Sequence, residues 1–343
     1  MSCVDCSLET RSVKKVGLKA RLGEQFARTL SLCAALVAEV NVDPAGEEVL
    51  LVPDRVAVAK QNQSVFSGHA PSLVSDKLDA VAVKKPQGTI TRGTTNPNRL
   101  RRVDRYIATL PVLRTGEPIV VDLGFGASPI TAVELLSRLR KINSRMHVVG
   151  IEIERERVER GLAVASDHLH FMHGGFETPL PAQFDSRKAT VIRAFNVLRQ
   201  YDESEVAAAW AMMQSRLDDD GFLVEGTCDE IGRLSTWVTL DRTRPLSLTI
   251  SLRLIGLDLP SKVAERLPKV LIHRNIKGEQ IHDFLNALDA AWKNHSALAV
   301  FGASQRFIAV CKELRAAGWP LVGDPKRWRL GEISVDWSAV APK

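Results

Sequence analysis

Between residues 119 and 226 the chain alternates short apolar runs with stretches of helical periodicity, and this alternation restricts its fold more than any other feature. Residues 119–123 (IVVDL), 148–153, 169–173, 189–195 and 222–226 read as strands. The first lacks a polar–apolar alternation, as expected where both faces of a sheet are covered. Between them, Ile130, Val133, Leu136 and Ile142, flanked by Leu135 and Leu139, form a helical stripe, with Ser128 as cap and Pro129 as first helical residue. Residues 154–165 predict a second helix. Residues 202–217 predict a third, with Asp202 and Glu205 spaced as a capping box. Alternating strands and helices imply an α/β fold built on a mostly parallel, twisted sheet covered on both sides.

Outside this block the pattern changes. Residues 235–241 and 246–252 both alternate and predict an antiparallel hairpin at the sheet edge. Residues 258–343 read as a mainly helical C-terminal addition, with helices over 279–292 and 303–317 and a last strand over 332–337. Residues 1–83 carry little pattern and are expected to form a poorly defined extension. Residues 84–110 read as a basic loop, punctuated by Pro86, Gly88, Gly93 and Pro97, followed by a lead-in helix after Asn98. With 343 residues the chain has room for about two domains. The division expected is one α/β domain over 111–257 with additions at both ends.

Composition excludes several classes. Apolar residues are 45% and charged residues 25% of the chain, which argues against wholesale disorder. No run is long and apolar enough for a membrane-spanning helix, and residues 29–38 are too short and are closed by Glu39. Membrane insertion is therefore not expected. The five cysteines, Cys3, Cys6, Cys33, Cys228 and Cys311, are an odd and sparse set that suits a reducing cytoplasm. Cys3 and Cys6 supply half a zinc site with no second pair nearby. Asp167, His168, His170 and His173 invite a metal reading, but strand alternation turns His173 away from the other histidines. No metal is expected.

The net charge is +6, and between Lys84 and Arg105 seven basic residues face one acid, which accounts for the whole surplus. Such a segment suits either contact with nucleic-acid phosphates or a lid over a ligand site. No aromatic residue for base stacking precedes Tyr106 in it, and its Thr94, Thr95, Asn96 and Asn98 suit a lid.

In an open parallel sheet the ligand site lies at the carboxyl ends of the strands. The first strand ends in Asp122, Gly124 and Gly126. A dinucleotide fingerprint would continue to a third glycine, but Pro129 stands there without an amide hydrogen, and Asp122 would repel a pyrophosphate. A nicotinamide-dependent oxidoreductase is disfavoured on these grounds. The acid-then-glycine pattern suits a ligand with a positive charge and no phosphate. Glu152 ends the second strand 26 residues after Gly126, where a carboxylate can accept from ribose hydroxyls. Glu154 is the alternative acid. His173-Gly174-Gly175-Phe176-Glu177 follows the third strand, and Arg193 to Tyr201 spans the end of the fourth.

Over about residues 100–255 this arrangement resembles the class I S-adenosylmethionine-dependent methyltransferase superfamily, and from the basic loop onward it resembles a bacterial branch of it. The resemblance implies a Rossmann-like fold with S-adenosylmethionine as cofactor. It implies Asp122 near the cofactor ammonium, Gly124 and Gly126 along the methionine part, and Glu152 at the ribose. Gly175, Phe176 and Asn196 would complete the cofactor site. The pattern departs at Ser128, where another glycine is common, and at Gly175, where an acid is usual.

Methyl transfer from a sulfonium is an in-line displacement that needs mainly alignment, with a base only if the acceptor must lose a proton. Asn196 and Tyr201 are the candidate catalytic residues. Arg99, Arg199, Gln200 and Glu225 are candidates for binding an acceptor, either a small molecule or nucleic acid. The alternative is a non-catalytic module on the same fold that binds S-adenosylmethionine or nucleic acid.

Overall fold

A computed structural model describes residues 86–343 apart from Arg92, Thr94 and Asp185. The expected N-terminal extension, Cys3, Cys6, Cys33, residues 29–38, Lys84 and Lys85 lie outside the described residues. Helix α1 (Arg101–Ile107) leads into β1 (Ile119–Leu123), α2 (Ile130–Leu139), β2 (His147–Glu152), α3 (Arg155–Leu162) and β3 (Leu169–His173). Next come β4 (Ala189–Phe195), α4 (Glu203–Gln214), β5 (Leu217–Cys228), β6 (Leu234–Leu240) and β7 (Pro245–Leu252). The C-terminal part adds α5 (Lys269–Ile272), α6 (Gln280–Asn294), α7 (Ala303–Ala316), β8 (Leu321–Val322) and β9 (Glu332–Asp336).

The strands form one sheet in the order β3-β2-β1-β4-β5-β6-β7-β9-β8. The first five run parallel, and every pairing from β5 onward is antiparallel. One expectation is corrected here. The β6–β7 hairpin is not at the edge, because β9 pairs with β7 through Ile250 and Ile333 and carries β8 outside it. The last strand expected over 332–337 is present as β9, and with β8 it completes the sheet. Strand β5 begins five residues early: Asp218, Asp219 and Asp220 belong to it, and a register shift beside Ala189 and Val191 absorbs them. A bulge at a strand end lets such solvated acids stay in the ladder.

Side-chain alternation sends β1 residues to two apolar cores. Val120 packs with Val103 and Ile107 of α1 and with Ala132, Leu135 and Leu139 of α2. The centre of the inward stripe is thus Leu135 and Leu139, which flank the stripe read in the sequence, while Val133, Leu136 and Ile142 pack at its margin. On the other face, Ile119 and Val121 share a cluster with Val206 and Met213 of α4, Phe284 of α6 and Phe307 of α7. The C-terminal helices therefore cover the sheet and share its core. Helix α4 carries the expected capping box between Asp202 and Glu205.

One charged group interrupts the first core. Arg193, fully buried in β4, pairs with Asp104 of α1 and, at 2.7 Å, with Asp122 of β1. Its Nη2 also donates to the Thr131 carbonyl, and Asp104 takes a second partner in Arg138 of α2. Burial alone would lower the pKa of the guanidinium. Asp122 and then Asp104 outweigh that and raise it, so the charge persists. We expect Arg193→Met to cost about 3–5 kcal/mol, because two buried carboxylates lose their shared countercharge. Adding Asp104→Asn and Asp122→Asn to that variant should recover much of the loss. Urea unfolding of the three proteins measures both effects.

Candidate functional site

The strand order reverses between β1 and β4, where an open α/β sheet forms its ligand crevice. A cavity of about 510 Å³ lies there, lined by Gly124 and Gly126 after β1, by Asn196 and Arg199 after β4, and by Arg99 and Arg266 from outside the parallel strands. Gly124 has φ +70° and Gly126 φ +87°, the left-handed region that favours glycine. A Cβ on Gly126 would stand 3.0 Å from the Gly93 carbonyl oxygen. Asn196 holds φ +60° without being glycine. It is fixed there because its Oδ1 accepts from the Cys228 amide at 3.0 Å and its own amide donates to Gly226.

The two acids expected to face the ligand are engaged within the protein. Asp122 Oδ1 accepts from Arg193 Nε at 3.0 Å, and Oδ2 accepts from the Thr131 hydroxyl at 2.8 Å. Glu152 Oε1 pairs with Arg157 Nη1 at 2.8 Å and accepts from the Gly126 amide at 3.2 Å; Oε2 accepts from the Ile153 amide. Glu154 lies 2.5 Å from Arg157 Nε. Asp122 reaches the cavity lining, whereas Glu152 lies under the neighbouring strap.

That strap is formed by residues 87–91 with Gly93 and Thr95, which cross the carboxyl ends of the parallel strands. The Gln87 carbonyl accepts from the Phe176 amide at 2.9 Å, and the Gln87 amide donates to Glu177 Oε2. The Thr89 amide donates to the Tyr201 hydroxyl at 2.5 Å, and Gln200 Nε2 donates to the Thr89 carbonyl. Arg157 Nη2 donates to the Thr91 carbonyl, and the Ala127 amide to that of Gly93. Gly175 is needed for this approach, since a Cβ there would meet the Gln87 carbonyl oxygen at 1.9 Å. Beneath the strap, between Glu152, Gly175, Phe176 and Tyr201, only about 20 Å³ remains. That is room for about one water molecule.

The remaining candidates separate. Arg199 and Gln200 are exposed at the cavity rim, whereas Tyr201 packs against Phe176 with ring centroids 5.3 Å apart. Burial, and then the neighbouring charge of Arg266, lowers the Arg199 pKa. The basic segment spends much of its donor capacity inside the protein. Arg99 Nε donates to the Asp229 carbonyl, Arg101 Nη1 to that of Ile231, and Arg102 Nε to that of Gly232. Arg102 Nη1 also reaches Ser251 and the Leu330 carbonyl. These arginines therefore hold the β5–β6 turn rather than forming a free stripe.

His168 bonds the Met146 carbonyl, His173 that of Ile153, and His170 bonds His147. Among the described residues no group of three or more His, Cys, Asp or Glu is arranged to hold a metal ion. Among them, too, no helix is long and apolar enough to cross a membrane.

Sequence reasoning missed the strap contacts, the roles of Arg157 and Arg193, and Arg266. A charged residue within the apolar run of β4 was the available signal for Arg193. Nothing local marks Arg266, which reaches the cavity only through the tertiary fold.

No protein-family model and no curated protein matches the chain. Solved structures that are similar to it include the magnesium protoporphyrin IX methyltransferase of Synechocystis PCC 6803 with bound S-adenosylhomocysteine (SAH). It is 16% identical over 37% of this chain and 55% of that one, with TM-score 0.28. Human N-acetylserotonin methyltransferase with S-adenosylmethionine is 18% identical over 39% of this chain and 36% of that one, with TM-score 0.29. An O-methyltransferase family protein from Burkholderia thailandensis is 15% identical over 38% and 39% respectively, with TM-score 0.27. The match spans just over half the length of the first of these three and less than two fifths of the other two. Likeness of that extent assigns neither ligand nor activity.

Glu225, expected at the acceptor, does not line the cavity. It lies in the core on β5, where neither of its oxygens makes a hydrogen bond of ordinary geometry. Burial pushes its carboxyl from 4.5 up to about 8, opposed weakly by the Trp210 indole N–H. The folded protein thus holds a proton on Glu225 at neutral pH that the unfolded chain releases. Its contribution to stability is full below about pH 4.5 and declines toward pH 8 with a slope approaching about 1.4 kcal/mol per pH unit. Glu225→Gln keeps the neutral shape, so its unfolding free energy should gain steadily on the parent between pH 5 and pH 8. Denaturant titration at several pH values measures the difference.

Proposed function

We propose that the chain is a methyltransferase that uses S-adenosylmethionine, acting on an acceptor that enters the cavity between β1 and β4. The observation that carries this reading is the meeting of the two left-handed glycines after β1 with the fixed Asn196 after β4, around one polar cavity at the switch point. When bound, the cofactor supplies a methyl group on a sulfonium, with a neutral leaving group.

The site residues fit that cofactor in part. Gly124 and Gly126 leave room for its methionine end along the cavity floor. Because Arg193 and Thr131 already hold Asp122, the acid contributes there through a neutralised cluster and not as a free countercharge. The nucleoside end belongs over Glu152, Gly175 and Phe176, which is where Gln87, Gly88 and Thr89 lie. The cofactor fits once these strap residues withdraw. Gln87 is joined to the site by hydrogen bonds to Phe176 and Glu177 and Thr89 by bonds to Tyr201 and Gln200, but none of the strap residues belongs to a helix or strand. Withdrawal frees the Gln200 amide at the rim, which can orient an acceptor, and the Tyr201 hydroxyl, which can accept a hydrogen bond from it or relay its proton. Asn196 orients the reacting groups from the opposite side.

The non-catalytic alternative shares the closed strap but predicts no transfer. Calorimetry with SAH and labelled methyl transfer into cell extract separate the two. Binding with transfer supports the proposal, binding without transfer supports the alternative, and no binding removes both cofactor readings.

If the strap competes with the nucleoside, apparent affinity carries the cost of displacing it. Gln200→Ala removes strap bonds at Thr89, so SAH should bind about two- to tenfold more tightly to it than to the parent. Weaker binding would mean that the strap is part of the bound site and not its competitor.

A further inference from the structure

The cavity has a second pole, formed by side chains from outside the glycine turn. Arg199 follows β4, and Arg266 ends the 3-10 turn Pro260–Arg266 in the C-terminal part. Both line the cavity, and each is fixed by backbone bonds. Arg199 Nη1 donates to the Glu265 carbonyl at 3.0 Å. The Arg266 carbonyl accepts from the hydroxyls of Thr227 on β5 and Thr236 on β6. Two strands thus hold the Arg266 backbone, and Arg199 is tied to the residue beside it.

Their charges are poorly compensated. The nearest acid, Glu265, comes only within 3.9 Å of Arg266 Nε and is itself 58% exposed. That Nε–H is shielded from solvent and donates to no acceptor among the described residues. Glu230 also lines the cavity, but it is exposed, and Asp122 is already neutralised by Arg193. Two like charges held side by side at one end of a cavity, one with an unused buried donor, are costly unless an anion completes them. Leu100, Phe125 and Phe195 supply apolar wall beside them.

We propose that Arg199 and Arg266 form an anion subsite for the acceptor, which is a small organic molecule bearing a carboxylate or phosphate beside an apolar body. This rests on the methyl-transfer reading for the word acceptor, but the anion subsite itself does not. A small molecule is favoured over nucleic acid because the cavity is enclosed by the strap on one side. In addition, Arg101 and Arg102 are spent on backbone carbonyls and extend no phosphate track from the cavity.

The test uses the full chain and the variant Arg199→Gln/Arg266→Gln. Probes are benzoate and phenyl phosphate against their neutral counterparts benzamide and phenol, titrated with and without SAH. SAH is itself compared with 5′-methylthioadenosine, which lacks the carboxylate. The expected result is that an anion outbinds its neutral counterpart on the parent by about tenfold or more and loses that advantage in the variant. SAH affinity should stay unchanged.

The proposal is overturned if no anion outbinds its counterpart. It is also overturned if the variant weakens SAH but not 5′-methylthioadenosine, which would assign the arginines to the cofactor carboxylate. Salt-steep binding of a short RNA that is lost in the variant would overturn it in favour of a nucleic-acid acceptor. Failure of SAH to bind would remove the methyl-transfer reading, while the anion titrations without it still decide the subsite.

Discussion

The ion cluster around Arg193 is the constraint on which the site geometry depends. One guanidinium, fully enclosed, joins a lead-in helix, the first strand and the fourth strand through Asp104 and Asp122. A charge cannot be left alone in such surroundings, so the three elements are held to one arrangement. The end of β1 is thereby set against the end of β4, and the crevice between them takes its shape from that spacing. The cost is chemical. Asp122, the acid best placed to meet a cationic ligand, is committed to the scaffold. Glu152 is likewise committed, to Arg157 and the Gly126 amide. The polarity of the crevice is consequently set by its arginines more than by its acids.

The sequence made the parallel half of the sheet legible because strands buried on both faces have a distinctive composition. Residues 119–123, 169–173 and 189–195 coincide with β1, β3 and β4, and the capping box of α4 stands where the letters placed it. The antiparallel half was harder to read. The alternation in β6 and β7 shows two strands and a turn, but it carries no information about β9 returning to cover β7 some eighty residues later. The run of three aspartates in β5 falls outside the strand predicted over 222–226 because propensity sees charge and not the bulge that accommodates it.

Candidate residues followed the same division. Gly124, Gly126, Asn196 and Arg199 can be placed from the strand ends alone, and they do line one cavity. Glu225 was assigned by its position at a strand end, but strand alternation turns it into the core beside Trp210. The strap was legible only as a loop with lid-like residues. That it lies across Gly175 and Phe176 depends on contacts about ninety residues apart in sequence, which no local pattern encodes.

The strap also sets a clock. Because residues 87–89 fill the space above Glu152, anything that binds there must wait for the segment to leave, whatever its chemical identity. Arrival then has two stages, and only the second depends on ligand concentration. At high concentration the observed association rate would level off at the rate of strap departure instead of rising without limit. The plateau would report a property of the protein alone. A site that is crowded by its own chain can thus bind tightly and still fill slowly, so its response to a brief rise in ligand would be damped.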